Sequence, residues 1–126
     1  MKVCAIIVAR NGSSRIPKKS LIKLSKKPMI WHMIRITKEL KNIDAISLAT
    51  SNLKIDDSIS KIAKDEKINL YRGHSEFVLD RIYFAAKKIK ADVIVYIGGD
   101  CPLLDPNVLN NALLFFLKNK IDYLNN

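Results

Sequence analysis

Arg10, Arg15, Lys18 and Lys19 crowd one short loop, Ala9-Arg10-Asn11-Gly12-Ser13-Ser14-Arg15-Ile16-Pro17-Lys18-Lys19, which follows directly on an apolar run from Met1 to Ala9. A strand that ends in a small-residue, cationic turn is suited to holding an anion. Gly12 can take backbone angles that other residues resist, Ser13 and Ser14 offer hydroxyl donors, and free N–H groups of the turn can point at phosphate oxygens. A nucleotide or phosphate ester is the expected ligand; a basic loop that merely faces water is the alternative. Much later, Gly98-Gly99-Asp100-Cys101-Pro102 places one carboxylate behind a second apolar run and two glycines that let another molecule approach the backbone. Asp100 is read as a magnesium ligand, because Mg²⁺ takes water and phosphate oxygens with only one or two protein carboxylates. Its plainer role is to cap the turn before Pro102.

Other polar groups carry less. Arg72-Gly73-His74-Ser75 forms a polar turn after a third apolar run and could contact a base or ribose. His74 has no identifiable carboxylate or nucleophile beside it, so it reads as a solvated loop residue, and His32 lies on a helix. Asp80 and Arg81 form either an ordinary surface pair or a pair that reaches back to the site. The opening loop has neither the glycine spacing and Lys-Ser/Thr ending of a Walker loop nor the three glycines of a dinucleotide-binding turn. Kinase and dehydrogenase chemistry therefore recede.

These groups need elements to position them, and apolar runs alternate with helical periodicities along the chain. Val3 to Ala9 reads as a fully buried strand. Met29 to Leu40 sets Ile30, Met33, Ile34, Thr37 and Leu40 on one helical face, with Pro28 suited to the helix start. Ala45 to Thr50 is a strand, followed by a helix with stripe Ile55, Ile59, Ile62 and Ala63 and with Asp56 and Asp57 in its first turn. Ile68 to Tyr71 is a short strand, Leu79, Ile82, Tyr83 and Ala86 mark a third helix, and Asp92 to Ile97 is a β-branched strand. Asp105 caps a fourth helix with Pro106 first and Leu109, Leu113, Phe116 and Leu117 facing inward. Ile121 to Leu124 starts one more strand. Such alternation implies right-handed crossovers and a mostly parallel sheet covered on both faces, with ligands beyond the carboxyl ends of the strands where strand order reverses. An order beginning 3-2-1-4 brings the cationic loop close to Asp100.

The 126 residues are expected to form one nucleotide-binding domain, 1–126. The net charge of +10 suggests nucleic acid, yet the excess is lysine spread over helix surfaces, and Arg10, Arg15, Arg72 and Arg81 all fall in or beside loops after strands. Arginine in a lysine-rich chain points to its planar fork against phosphate or carboxylate, so no nucleic-acid partner is expected. No apolar run approaches bilayer length and no signal-peptide pattern opens the chain, so a cytoplasmic location and no membrane partner are expected. Cys4 and Cys101 fall at opposite edges of a parallel sheet, too far apart to bridge, and two single histidines with two cysteines make no zinc pattern.

Taken in order, the loop Ala9 to Lys19, Ala49-Thr50-Ser51, Tyr71-Arg72-Gly73, Val78-Leu79-Asp80-Arg81 and Gly99-Asp100-Cys101-Pro102-Leu103 span nearly the whole chain. Together they resemble the cytidylyltransferase family, which includes acylneuraminate and 3-deoxy-manno-octulosonate cytidylyltransferases. The branch most resembled is that of spore coat polysaccharide biosynthesis protein F. The resemblance implies a three-layer α/β/α, mostly parallel, Rossmann-like nucleotide-diphospho-sugar transferase fold. It further implies a nucleotidyltransferase of surface polysaccharide biosynthesis that couples CTP to an acidic sugar of the 2-keto-3-deoxy or sialic type and releases pyrophosphate with Mg²⁺.

Matched by motif, Ala9, Arg10, Asn11, Gly12, Ser13 and Gly99 would contact the nucleotide, and Thr50, Ser51 and Arg72 would lie near base and ribose. Arg15 and Lys19 would hold the triphosphate and Asp100 the metal, these three carrying the catalysis. Asn52 stands where relatives often carry an acid, and Gly98 where a threonine is frequent. Family members also continue well beyond this length, with a second metal-binding acid, much of the sugar pocket and the dimer contacts in the remainder, so the chain is expected to be the N-terminal half of the family's domain, with a homodimer as the expected assembly. A non-catalytic nucleotide-binding module of the same fold is the second reading, and a basic nucleic-acid-binding protein the third.

Overall fold

The computed structural model describes residues 1–12 and 15–125. Four parallel strands form its sheet: β1 (Val3–Val8), β4 (Ala45–Ser51), β5 (Asn69–Gly73) and β6 (Val93–Gly98), side by side as β5-β4-β1-β6. This is the expected 3-2-1-4 order, with β1 central and in register with both neighbours, Ile7 opposite Leu48 on one side and Ile97 on the other. Carboxylates secure the amino end. Asp44 accepts from Val3 N and Asp92 from Lys2 N, each at 2.7 Å, so β1 is tied to the residues that lead into β4 and β6.

Helices α1 (Met29–Lys38), α2 (Asp57–Asp65) and α3 (Val78–Lys88) supply the crossovers, and α4 (Pro106–Lys118) follows β6. One sheet face, with Val3, Ala5, Ile7, Leu48, Val95 and Ile97, packs under Ile30, Met33 and Ile34 of α1, Ile59 and Ala63 of α2 and Leu113 of α4. Each fully buried isoleucine there contributes about 2–3 kcal/mol of transfer free energy. The other face, Cys4, Ile6 and Ala49, meets Ala85, Ala86 and Ile89 along α3. Asp105 caps α4 by accepting from Asn107 N at 2.8 Å, with Pro106 at the first helical position. A two-residue ladder, β2 (Lys23–Leu24) with β3 (Lys27–Pro28), closes through Ser25 and Lys26 at positive φ of 48° and 70° and delivers Pro28 to the start of α1. No alternating pattern announced it. His32 lies on α1 as expected and donates from Nε2 to Leu24 O of this hairpin.

Several expectations are corrected. Residues 121–124 form no strand; the chain leaves α4 in irregular conformation. The second sheet face is not fully covered, because α3 crosses β1, β4 and β5 and leaves Ile94 and Tyr96 of β6 42% and 59% exposed. The inward stripe of α3 is also different. Leu79 and Tyr83 point outward and Arg81 points in, since the small residues Ala85 and Ala86 set the packed face and rotate the apolar pair away. Ile55 is likewise exposed, in a short 3₁₀ turn (Lys54–Asp56) ahead of α2. Cys4 and Cys101 are free, one buried and one exposed.

Candidate functional site

The site forms where β1 and β6 end side by side. Gly99 N donates to Val8 O at 2.9 Å, and a Cβ on Gly99 would lie 2.7 Å from Ala9 Cβ and 2.8 Å from Val8 O. Only glycine lets the two strand ends approach this closely. Beyond them opens a cleft of about 390 Å³ whose walls include Arg10, Arg15, Lys19, Arg81, Gly99 and Asp100. A second cleft, of about 380 Å³, lies at the amino end of the sheet around Leu40, Ile43 and Asp44 and holds none of these groups.

Across the first cleft, Lys19 Nζ donates to Asp100 Oδ2 at 2.8 Å. That bond holds the Asp100 carboxyl below the usual carboxylate range, so the group is ionised at neutral pH. Burial, with Asp100 adjoining, pushes the neighbouring Cys101 thiol up and keeps it protonated. Among the described residues Arg10 makes a long contact, 3.5 Å, to Glu76 at the rim, and Arg15 is exposed in the cleft wall.

The loop after β1 is held from beneath. Asp56 is buried and accepts Asn11 N at 2.7 Å on one oxygen and the Ser51 hydroxyl on the other. Asn11 Nδ2 donates to Ile55 O at 2.9 Å, and Lys18, in left-handed conformation at φ 51°, closes the loop through its N–H to Asn11 O. The position of Asp56 in sequence suggests a helix-dipole role, and nothing local marks it as the anchor of a turn forty-five residues away. Gly12 does not use positive φ, contrary to expectation; its missing Cβ instead leaves room for Arg10, whose Nη1 would be 3.0 Å away.

Of the residues matched to nucleotide contacts, Ala9, Arg10 and Gly99 line the cleft. Ser13 lies outside the described residues. Thr50 and Ser51 are fully buried, Ser51 engaged with Asp56, and neither lines the cleft. Arg72 is spent on the turn after β4: Nε donates to Ser51 O at 2.9 Å, Nη2 to Leu53 O at 2.8 Å, and Nη1 pairs with Asp57 at 2.8 Å. It clasps the turn that carries Asp56. Arg81, left open between surface and site, lies buried in the cleft wall; its signal was an arginine in a lysine-rich chain.

Among the described residues no three His, Cys, Asp or Glu side chains converge as a metal cage. A magnesium ion bridging protein to a phosphate chain needs less. Asp100 offers an ionised, half-exposed carboxylate whose Oδ1 lies 3.8 Å from the Cys101 thiol, a long contact, which fits a site completed by phosphate oxygens.

The family model described as "Cytidylyltransferase" matches residues 4–126. A 3-deoxy-manno-octulosonate cytidylyltransferase of Trichlorobacter lovleyi is 40% identical over 119 residues, covering 94% of this chain and 46% of that protein. An uncharacterised protein of Methanocaldococcus jannaschii is 37% identical over 124 residues, 98% of this chain and 51% of its own length. Among solved structures, a cytidylyltransferase from Leptospira borgpetersenii superposes with TM-score 0.89 at 33% identity over 95% of this chain and 50% of that one. The structure of CMP:2-keto-3-deoxy-manno-octonic acid synthetase complexed with CTP superposes with TM-score 0.81 at 25% identity, covering 94% and 48%. The chain thus spans about half the length of the curated relatives it matches. With a family match from Cys4 onward and a fold shared with a solved cytidylyltransferase at 33% identity, the chain belongs to the cytidylyltransferase family.

Proposed function

We propose that this chain forms the nucleotide-binding half of an enzyme that transfers CMP from CTP to an acidic sugar and releases pyrophosphate. The observation that carries this reading is the convergence of Arg10, Arg15 and Lys19 with Asp100 on one cleft at the carboxyl ends of β1 and β6. Arg15 and Lys19 bind the triphosphate, Arg10 and the loop backbone hold the nucleoside side, and Gly99 keeps the backbone approachable. In the reaction a sugar hydroxyl oxygen bonds to the α-phosphorus in line as the bond from that phosphorus to the pyrophosphate oxygen breaks, the hydroxyl proton passing to solvent. Cations fixed beforehand offset charge developing on the leaving pyrophosphate. Asp100 would hold Mg²⁺, which when bound adds positive charge against the phosphate oxygens. Lys19, released from Asp100, would then turn wholly to phosphate.

A sugar acid of the 2-keto-3-deoxy or sialic type and a place in surface polysaccharide or spore coat synthesis belong to the same proposal, as do a cytoplasmic setting and a homodimer. Relatives named for 3-deoxy-manno-octulosonate support the acidic sugar. The exposed Ile94 and Tyr96 face of β6 supports burial against further protein. No helix among the described residues is long and apolar enough to cross a membrane.

The test is ligand-induced stabilisation. CTP with Mg²⁺ at a hundred times its dissociation constant should stabilise the fold by about 2.7 kcal/mol and raise the thermal midpoint. Arg15→Ala should abolish the rise, and no shift with any nucleotide overturns the reading. A non-catalytic nucleotide-binding module is the second reading, favoured by the single acid in the cleft. Pyrophosphate release with CTP and a 2-keto sugar acid, measured on this chain alone, would refute it.

A further inference from the structure

Arg81 stands in the first turn of α3 with 1% of its surface exposed, among the largest fully buried side chains of the fold. Its Nη1 donates to His74 O at 2.9 Å and to Ser75 O at 2.6 Å. Nε has no partner, and among the described residues the guanidinium forms no ion pair. A guanidinium stays charged at any physiological pH, and a charge withdrawn from water without a counter-charge carries a large desolvation cost. Two neutral carbonyls recover only part of it.

Its surroundings increase the cost. Burial is the main influence lowering the Arg81 pKa, and the nearby Arg10 charge acts in the same direction, against weaker help from Asp56 and Glu76. Were the side chain needed only to fill space, an aliphatic residue would serve without burying a charge. What the position does offer is the cleft itself, because Arg81 forms part of its wall beside Arg10, Arg15 and Lys19. Lys19 is matched by Asp100 and Arg10 reaches Glu76 at 3.5 Å, whereas Arg81 makes no ion pair among the described residues.

We propose that Arg81 is a positioning residue for the polyphosphate of the bound nucleotide. Through Nη1 it fixes the His74–Ser75 turn that leads to Glu76 and so to Arg10, and its buried charge supplies a weakly screened field that the bound phosphates neutralise. This rests on the nucleotide reading above.

Titration calorimetry of the full chain with inorganic pyrophosphate and with CTP, each compared with uncharged cytidine, tests it. Arg81→Met should weaken pyrophosphate and CTP about tenfold or more while cytidine binds as in the wild type. Arg81→Lys, whose ammonium lacks the planar fork and loses its charge more readily when buried, should bind pyrophosphate more weakly than the wild type but more tightly than Arg81→Met. The Arg81→Met deficit should persist at high salt, whereas that of Arg15→Ala should shrink, because exposed charges are screened and buried ones much less so. Unchanged pyrophosphate affinity in Arg81→Met, or equal losses for pyrophosphate and cytidine, overturns the proposal and leaves nucleotide binding standing. A wild-type chain that binds neither CTP nor pyrophosphate overturns both. Should Arg81→Met fail to fold, Arg81→Gln takes its place with the same outcomes.

Discussion

Lys19 Nζ and Asp100 Oδ2 meet at 2.8 Å although 81 residues separate them, and their bond spans the cleft between the turns that follow β1 and β6. A divalent ion seeking Asp100 must compete with an ammonium already in place. In the proposed reaction, nucleotide phosphates would relieve that competition by drawing Lys19 away.

Replacing Lys19 with Met should return the Asp100 carboxyl toward its ordinary value of 3.8, read from side-chain carbon shifts by NMR. The sign follows from the depressed folded-state pKa: the pair stabilises above 3.8 and that contribution fades as pH falls through the folded value. Lys19→Met should accordingly flatten the acid limb of the stability profile.

Glu66 gives a second, independent acid response. Its side chain is 13% exposed and bonded to Trp31 Nε1 at 2.8 Å and Lys38 Nζ at 3.0 Å, with Arg35 at 3.4 Å. Burial pushes its carboxyl up, but the Lys38 bond and the two cations outweigh this and leave it below 4.5. Glu66→Gln should be less stable than wild type at neutral pH, and denaturant titrations should show the gap closing as pH falls below 4.5.

Asp56→Ala removes the buried acceptor of both Asn11 N and the Ser51 hydroxyl. Orphaning these donors should cost about 3 kcal/mol in urea denaturation, and the loosened loop should weaken CTP binding although Asp56 does not line the cleft.

Gly99→Ala forces a Cβ against Ala9 Cβ and Val8 O, both under 3 Å and one of them backbone, so the strand ends must part. A loss of about 1–3 kcal/mol is expected. Gly98→Ala should cost less, because its nearest atom, Asp100 Oδ1 at 3.2 Å, belongs to a side chain that can turn aside.

Arg72→Ala should lower the thermal midpoint, through about 1–2 kcal/mol lost from its two carbonyl bonds, while Asp57→Ala should cost little because its partner pair is largely exposed. A loss of CTP affinity in Arg72→Ala without destabilisation would instead restore it as a direct ligand contact.

The sheet was legible because its strands are short apolar runs between helical periodicities, and right-handed crossover leaves few ways to order them. That order brought the cationic loop close to Asp100, while the choice of Lys19 as the cation that meets the carboxylate came only with the folded structure. The α3 face misled because period identifies a helix without fixing which stripe packs, and Ala85 and Ala86 outweighed Leu79 and Tyr83 by fitting closer to the sheet. Thr50, Ser51 and Arg72 occupy matched motif positions, yet their atoms are committed to packing or to the turn after β4.

By itself, the order of residues determined a parallel α/β sheet and a cationic turn at its carboxyl edge, because period, chirality and residue type act locally along the chain. Tertiary structure alone decided that Asp56 anchors that turn, that Arg72 clasps the turn after β4, and that Arg81 is buried with no ion pair among the described residues. Those outcomes depend on which distant donors and acceptors folding brings within hydrogen-bond reach, and no local pattern records that.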